Sequence, residues 1–120
     1  MVAPGQILLV DDELDIQELF ASSLRDEGFR VDLAATVAEA KARLSARTYD
    51  LVVTDWKLPD GDGQLIADWA AELDARTIVL SGYLFYMSSG MAIGHETLMK
   101  PIRPDEFVAA VKRAIGAEPS

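Results

Sequence analysis

Runs of apolar residues separated by amphipathic stretches divide this chain into strands and helices. The continuous apolar run Gln6–Val10 predicts a strand covered on both faces, and residues 51–54 and 77–80 predict two more strands of this kind. Residues 29–34 alternate enough to form another strand, and residues 97–99 predict a short strand near the end of the chain. The pattern therefore predicts five strands.

Apolar side chains that recur at helical spacing predict a helix after each of four strands. The side chains on their expected inner faces are, helix by helix, Ile16, Leu19, Phe20 and Leu24; Val37, Ala40 and Leu44; Ile66, Trp69, Ala70 and Leu73; and Phe107, Val111 and Ile115. Gly28 suits the end of the first helix, and residues 36–39 form a capping box that begins the second. Pro104 suits the first turn of the last helix, which ends at Gly116. A further helix between residues 83 and 94 is expected to be short or poorly ordered, because serines and glycines interrupt it.

Strands that alternate with helices over short connections indicate an α/β fold, with an open parallel sheet covered by helices on both sides. A chain of 120 residues fits one domain, here residues 1–120. In such sheets ligands bind at the carboxyl ends of the strands, near the point where the strand order reverses. The residues that follow each strand are therefore the first candidates for chemistry.

Acidic, hydroxyl and ammonium groups follow four of the predicted strands. They are Asp11-Asp12-Glu13 after the first strand, Asp55 after the third, Ser81-Gly82 after the fourth and Lys100-Pro101 after the fifth. Because parallel strands end at one edge of the sheet, we expect these groups to meet in one pocket. Crowded carboxylates repel one another and need a cation, and hard oxygen ligands suit Mg²⁺. One Asp beside such an ion could attack phosphorus, with Lys100 neutralising charge and Ser81 donating a hydrogen bond.

The composition narrows the classes of partner. Eleven Lys and Arg against twenty Asp and Glu give a formal net charge of −9, which argues against direct binding of nucleic acid. The chain has no cysteine, so disulfides, thiolate zinc sites and cysteine nucleophiles are excluded. The first residues do not form a signal peptide, and serines and glycines interrupt the uncharged residues 77–94, so no membrane insertion is expected.

Each candidate residue has a simpler interpretation when it is taken alone. An Asp after a strand is commonly a helix cap, Ser81 a turn residue and Lys100 a solvated lysine, but their joint occurrence at four strand ends favours one site. Residues 60–63 hint at a calcium loop, but the ligand spacing does not fit. His95, the only histidine, is expected at the surface without an acid partner.

The strand-end motifs together resemble the receiver domain of two-component response regulators. The resemblance covers residues 7–115 and rests on ILLVDDE at residues 7–13, LVVTDWKLPDGDG at residues 51–63, Ser81-Gly82 and Lys100-Pro101. It implies a flavodoxin-like, doubly wound sandwich with five parallel strands in the order 2-1-3-4-5.

The resemblance also implies the chemistry of phosphorylation. Asp55 would accept a phosphoryl group from a histidine kinase or phosphotransfer protein, and Ser81 and Lys100 would contact that group. The Lys100–Pro101 peptide bond would be cis.

A magnesium site is implied in the same way. Asp12 and Asp55 would bind Mg²⁺ directly, Asp11 would bind it through water, and the backbone carbonyl of Lys57 would complete the protein ligands. These assignments apply the family pattern to the matching positions of this chain.

The residues that would switch depart from the family pattern. Receivers usually carry Tyr or Phe three residues before the lysine, where this chain has Thr97. Residues 81–83 resemble a receiver subgroup with a Phe-Ala-Thr-Gly-Tyr-like motif, so Ser81, Tyr83 and Thr97 are the switch candidates, with Tyr83 as the moving aromatic. The five bulky apolar residues 83–87 cannot all face inward on a helix, which predicts a partly exposed docking surface.

The predicted function is a phosphorylation switch rather than a turnover enzyme, because the chain would catalyse only phosphoryl transfer to its own Asp55 and the slow hydrolysis that follows. The added charge would shift contacts with a downstream protein partner or produce a phosphorylation-dependent dimer, in the cytoplasm. The chain ends after its last helix, so we expect no DNA-binding or enzymatic output domain within it. Two alternatives stay open: a constitutive, phosphorylation-independent interaction module, and a receiver fragment of a larger regulator or hybrid kinase.

Overall fold

Strands and helices follow one another in the predicted alternation. A computed structural model describes residues 5–82 and 94–116. Within these residues the elements are, in chain order, β1 (Gln6–Val10), α1 (Leu14–Asp26), β2 (Arg30–Ala34), α2 (Val37–Ala46), β3 (Leu51–Asp55), β4 (Lys57–Leu58), β5 (Gly61–Asp62), α3 (Gly63–Glu72), β6 (Arg76–Gly82), β7 (Glu96–Lys100) and α4 (Pro104–Ile115). The helix expected between residues 83 and 94, the apolar run at residues 83–87 and Tyr83 itself lie outside the described residues, apart from Gly94.

Five of these strands form one parallel sheet in the order β2-β1-β3-β6-β7. The two-residue strands β4 and β5 pair only with each other, as a small antiparallel hairpin between β3 and α3. The predicted fourth and fifth strands are therefore β6 and β7, and the predicted order 2-1-3-4-5 is confirmed. The hairpin was not predicted, because two residues are too few to show an alternating pattern.

Helices cover both faces of the sheet, which makes the fold the predicted doubly wound sandwich. On one face Leu9 of β1 packs with side chains of α1 and α4, where the rings of Phe20 and Phe107 stack with centroids 4.3 Å apart. On the other face Leu8 packs with side chains of α2 and α3. Since successive residues of β1 enter opposite cores, the strand needs apolar side chains on both faces, which explains its continuous apolar run.

Two leucines that were predicted to face the core are exposed. Leu19 of α1 exposes 52% of its surface, and Leu73, directly after α3, exposes 55%. Gln17 is buried on the inner face of α1, and its Nε2 donates hydrogen bonds to the carbonyl oxygens of Leu9 at 3.3 Å and Ala34 at 2.8 Å. Burial of this amide is tolerated because it satisfies backbone acceptors at the ends of β1 and β2. The helical period and the buried side were predicted correctly for most inner-face residues, but apolar identity alone did not exclude Leu19 and Leu73.

The expectation that His95 lies at the surface without an acid partner is wrong. Its side chain is 5% exposed, and its Nε2 lies 2.7 Å from Oδ1 of Asp68 in α3. An ionised carboxylate can only accept, so Nε2 carries the proton of this hydrogen bond, which lowers the pKa of Asp68. The other ring nitrogen, Nδ1, shares a hydrogen bond of 2.6 Å with Oγ1 of Thr77 in β6. His95 therefore connects α3 with the sheet, one residue before β7 begins.

The helix ends agree with the predicted signals. Gly28 and Gly116 follow α1 and α4 with φ of 94° and 76°, in the left-handed region that favours glycine. Thr36 caps α2, and its Oγ1 accepts a hydrogen bond from the N–H of Glu39 at 3.1 Å. None of the helices described by the structure is long and apolar enough to cross a membrane.

Candidate functional site

Three of the predicted site residues meet where the strands of the sheet end. Asp11 directly follows β1, Asp55 is the last residue of β3, and Lys100 is the last residue of β7. Asp55 pairs in register with Leu80 of β6, and Lys100 pairs with Gly82 two residues further along the same strand. Residues far apart in sequence therefore reach the same edge of the sheet, as the parallel topology requires.

Three carboxyl groups form an acidic cluster at this edge. Asp11, Asp12 and Asp55 each place a carboxylate oxygen within 4.8 Å of the other two. Asp11 is fully buried and Asp55 is 9% exposed, whereas Asp12 is exposed. Hard oxygen ligands that are open to water on one side suit Mg²⁺, which keeps several waters when it binds to a protein. The donor set therefore fits the predicted magnesium ion.

Lys100 holds the acidic groups together. Its Nζ lies 3.3 Å from Oδ2 of Asp11 and 3.4 Å from Oδ2 of Asp55. The same nitrogen lies 3.3 Å from Oε1 of Glu13, which was expected at this edge of the sheet but had no predicted role. A glutamate at the start of a helix is common for electrostatic reasons, so its side chain gave no sign of this second role.

Burial makes Asp55 less acidic than a free aspartate and raises its pKa to about 6. The charge of Lys100 opposes this rise, while repulsion from Asp11 and Asp12 adds to it. A carboxyl group with this pKa is partly protonated near neutral pH and is then a weak nucleophile. A cation at the cluster would favour the ionised form and restore the nucleophile.

Asp11 and Lys100 influence each other's ionisation. Burial raises the pKa of Asp11, against the hydrogen bond that its Oδ1 accepts from the N–H of Glu13 at 2.9 Å and the attraction of Lys100. Burial alone would lower the pKa of Lys100, but the charges of Asp55 and Asp11 outweigh it and the pKa is raised. Lys100 therefore remains an ammonium ion at neutral pH.

The backbone around Asp55 is fixed by contacts that the sequence did not reveal. The N–H of Trp56 donates to Oδ1 of Asp55 at 3.0 Å and to the carbonyl of Leu80 at 2.7 Å. The N–H of Gly63 donates to the carbonyl of Trp56 at 2.6 Å. A β-carbon on Gly63 would lie 2.1 Å from the carbonyl oxygen of Asp55, so only glycine lets α3 begin this close to the acceptor. No local pattern in the sequence signals this close approach of Gly63 to Asp55.

An open pocket of about 240 Å³ lies beside Asp55. It is lined by Glu13, Asp55, Trp56, Lys57, Gly82 and Lys100. Lys57, two residues after Asp55, therefore lies beside the predicted acceptor. The binding of Mg²⁺ by its backbone carbonyl stays a prediction.

Three other predicted features of the site have different outcomes. Ser81 is buried, and its Oγ donates a hydrogen bond of 3.4 Å to the carbonyl of Gly82, so its contact with a phosphoryl group stays a prediction. Thr97 lies in β7, paired in register with Val79. The peptide bond between Lys100 and Pro101 is cis, as predicted.

Comparison with known proteins decides which family carries these features. Residues 7–112 match the response regulator receiver domain. The chain belongs to this family. The predicted resemblance, the predicted fold and the predicted class of function, a phospho-accepting receiver of two-component signalling, are confirmed. Receiver domains of this family bind Mg²⁺ at their acidic pocket and interact with histidine kinases and downstream effectors.

Relatives of this receiver include longer regulators. Response regulator Rre1 of Synechocystis sp. is 35% identical over an alignment of 128 positions, which covers 98% of this chain and 54% of Rre1. The photosynthetic apparatus regulatory protein RegA of Cereibacter sphaeroides is 36% identical over an alignment of 114 positions, which covers 91% of this chain and 62% of RegA. The chain therefore spans a little more than half the length of these curated relatives.

A solved structure confirms the fold independently. The crystal structure of a response regulator receiver protein from Sinorhizobium medicae is 32% identical and superposes with a TM-score of 0.81. The similarity covers 95% of this chain and 96% of that one. The similarity therefore extends over nearly the whole length of both chains.

Proposed function

We propose that Asp55 accepts a phosphoryl group from the phosphohistidine of a partner histidine kinase or phosphotransfer protein. The observation that carries this proposal is the position of Lys100, whose Nζ lies within 3.4 Å of both Asp11 and Asp55. Phosphoryl transfer depends mainly on a positioned nucleophile and on neutralisation of charge. A carboxylate beside an ammonium group and two further oxygen ligands meets both requirements.

The reaction forms one bond and breaks one bond. A carboxylate oxygen of Asp55 attacks phosphorus, the phosphorus–nitrogen bond breaks, and the imidazole nitrogen of the donor keeps the electron pair. Mg²⁺, held by Asp11, Asp12, Asp55 and the carbonyl of Lys57, would supply positive charge to the phosphoryl oxygens. Lys100 contacts one of these oxygens, so that the new charge remains neutralised.

Ser81 connects the reaction to a change of shape. Its hydroxyl, which now donates to the carbonyl of Gly82, turns to donate to the phosphoryl group instead. This movement shifts the population of conformers around the carboxyl ends of β6 and β7, with Thr97 and Tyr83 as the other switch residues. A downstream protein partner, or a second copy of the receiver, binds the shifted conformer.

The receiver acts as a switch and not as a turnover enzyme in this proposal, because its substrate is its own Asp55 and slow hydrolysis returns it to the starting state. A receiver can accept a phosphoryl group from a histidine kinase only in the compartment that contains the phosphohistidine of that kinase. We therefore propose a cytoplasmic location.

Intact-mass spectrometry after incubation with Mg²⁺ and acetyl phosphate tests the proposal. We expect the wild type to gain the mass of one phosphoryl group, and we expect this gain to disappear when Mg²⁺ is chelated. Asp55→Ala should abolish the adduct because the nucleophile is gone. Asp62→Asn is the matched control, because Asp62 is an exposed acid of the same loop, outside the acidic cluster.

Two results would contradict the proposal. An adduct that persists in Asp55→Ala would place the acceptor elsewhere in the chain. A folded wild type that reacts with neither acetyl phosphate nor beryllofluoride would favour an interaction module that works without phosphorylation.

A further inference from the structure

Glu13 joins the phosphorylation site through its side chain, although it belongs to neither the acidic cluster nor the sheet. Its Oε1 accepts a hydrogen bond of 3.3 Å from Nζ of Lys100, and it lines the pocket beside Asp55. Glu13 lies two residues after Asp11 and 42 residues before Asp55 in the sequence. In the folded chain the carboxylates of all three residues contact the ammonium group of Lys100. The contact with Lys100 therefore needs an explanation beyond helix initiation.

Structural duties of Glu13 are carried out by its backbone. Its N–H donates to Oδ1 of Asp11 at 2.9 Å, and its carbonyl accepts the N–H of Gln17 at 2.9 Å as α1 begins. The Glu13 side chain makes no capping hydrogen bond to α1, even though Glu13 occupies the position before the first helical residue. A change of the Glu13 side chain alone should therefore leave the fold of this part of the chain intact.

The ammonium group of Lys100 is surrounded by carboxylates before phosphorylation. Its Nζ has three N–H donors; it donates hydrogen bonds to Asp11 and Glu13 and forms an ion pair of 3.4 Å with Asp55. A phosphoryl oxygen can bind Lys100 only after one of these acceptors is released. The side chain of Glu13 is 58% exposed, against 1% for the side chain of Asp11 and 13% for that of Asp55. Water can therefore replace the contact of Lys100 with Glu13 at the lowest cost in free energy.

We infer that Glu13 holds Lys100 in the unphosphorylated state and releases it when the phosphoryl group arrives, which makes Glu13 a positioning residue for the transfer. The inference rests on the proposed function, because it assigns to Lys100 the neutralisation of the phosphoryl group. The contact between Glu13 and Lys100 opposes phosphorylation, since it must be broken before Lys100 reaches its new partner. It keeps the side chain of Lys100 ordered beside Asp55 until then.

Binding of beryllofluoride, which occupies the place of the phosphoryl group on Asp55, measures this competition. Trp56 adjoins Asp55, so its fluorescence reports both Mg²⁺ and beryllofluoride. We expect Glu13→Gln to bind beryllofluoride about two- to fivefold more tightly than the wild type, the range that an exposed ion pair supports. Phosphorylation by acetyl phosphate should accelerate by a similar factor. The affinity for Mg²⁺ alone and the melting temperature should remain unchanged.

Two further variants distinguish the effect of the contact between Glu13 and Lys100 from the effect of negative charge alone. Asp15→Asn removes one negative charge from the first turn of α1, and Asp15 is not among the acids within 4 Å of Lys100 in the described part of the chain. Asp15→Asn should bind beryllofluoride as the wild type does. Glu13→Asp keeps the charge but shortens the side chain by one methylene, so it should behave like Glu13→Gln.

Each other outcome overturns the inference. Wild-type affinity for beryllofluoride in Glu13→Gln would show that Glu13 does not compete for Lys100. A loss of Mg²⁺ affinity in Glu13→Gln would make Glu13 a metal ligand, and wild-type behaviour of Glu13→Asp would show that charge acts without the contact. If the wild type itself bound no beryllofluoride, the proposed function would fail, and the inference would fail with it.

Discussion

At Gly63 the chain lacks a β-carbon where one would collide with the backbone of the phosphorylation site. The nearest atoms to such a carbon would be the carbonyl oxygen of Asp55 at 2.1 Å, its carbonyl carbon at 3.0 Å and Oγ1 of Thr54 at 3.1 Å. The two nearest are backbone atoms, which cannot move without displacing the last residue of β3. Gly63 thus sets both the packing of α3 and the position of the acceptor.

We expect Gly63→Ala to lower the free energy of unfolding by about 2–3 kcal/mol, as overpacking of a rigid core does. Because relief of the collision displaces Asp55, phosphorylation by acetyl phosphate should also slow in the folded fraction. Urea unfolding and the rate of adduct formation measure the two effects. Gly82→Ala is the control for stability, since no atom lies within 4 Å of the β-carbon it would add. Equal stabilities of the two variants would contradict this account of Gly63.

At the scale of elements, the start of α2 is held by a residue from the loop after Asp55. The carboxylate of Asp60 accepts hydrogen bonds from the N–H groups of Val37 at 2.8 Å and Ala38 at 3.1 Å. Thr36 accepts the next N–H, that of Glu39, and the Glu39 carboxylate accepts the N–H of Ala35 at 2.8 Å instead of that of Thr36. The predicted capping box is thus one part of a larger cap that ties α2 to the loop of the phosphorylation site.

The hydrogen bonds from α2 lower the pKa of Asp60, which fixes the sign of a pH effect. A carboxyl with a lower pKa in the folded state stabilises the protein above its unfolded pKa of 3.8, and this stabilisation is lost as pH falls through the folded pKa. We therefore expect Asp60→Ala to be less stable than the wild type at neutral pH and to approach it as the pH falls below the lowered pKa that Asp60 has in the folded state. Urea unfolding over this pH range measures the difference.

Thr36→Ala is the matched control for Asp60→Ala, because it removes a neutral cap from the same helix end. It should cost about 1 kcal/mol, the usual value for a lost threonine cap, with little dependence on pH. If the penalty of Asp60→Ala were equally independent of pH, the carboxylate charge of Asp60 would not be the source of its stabilising effect.

For the whole molecule, the fold and the acidic cluster could be predicted because they depend on repeated patterns. The apolar runs of β1, β3 and β6 are long enough to identify strands buried on both faces, and alternation with helices then fixes a parallel sheet. Parallel strands end at one edge, so the positions of Asp11, Asp55 and Lys100 followed from the sequence as soon as the strands were assigned.

The features that were missed depend on single contacts between distant segments. Glu13 contacts Lys100, which is 87 residues away in the sequence. Gly63 cannot carry a side chain because α3 begins directly beside the backbone of Asp55. His95 was taken for a surface residue because Asp68 is 27 residues away in sequence. Such contacts leave no periodic signal, since each is decided by the relative placement of two elements rather than by either one.

Burial of the ionised Asp55 carboxylate opposes folding of the domain, because burial raises the pKa of this group. The folded-state pKa of Asp55, about 6, lies above its model-compound value of 3.8, so the folded state binds this proton more tightly than the unfolded chain does. Stability is then highest while Asp55 is protonated and falls as pH rises from about 4 to 6.

In the absence of Mg²⁺ we therefore expect Asp55→Asn to be more stable than the wild type near neutral pH, by about 1 kcal/mol after screening by water is allowed for. The difference should vanish at about pH 4, where the wild-type carboxyl is protonated in the folded state. Urea unfolding in a chelator measures both limits. Saturating Mg²⁺ should stabilise the wild type more than the variant, because the ion binds the folded site and loses a carboxylate ligand in Asp55→Asn. A metal-free Asp55→Asn variant that is less stable than the wild type at neutral pH would contradict this expectation. It would mean that the ion pair between Asp55 and Lys100 stabilises the fold by more than burial of the Asp55 carboxylate destabilises it.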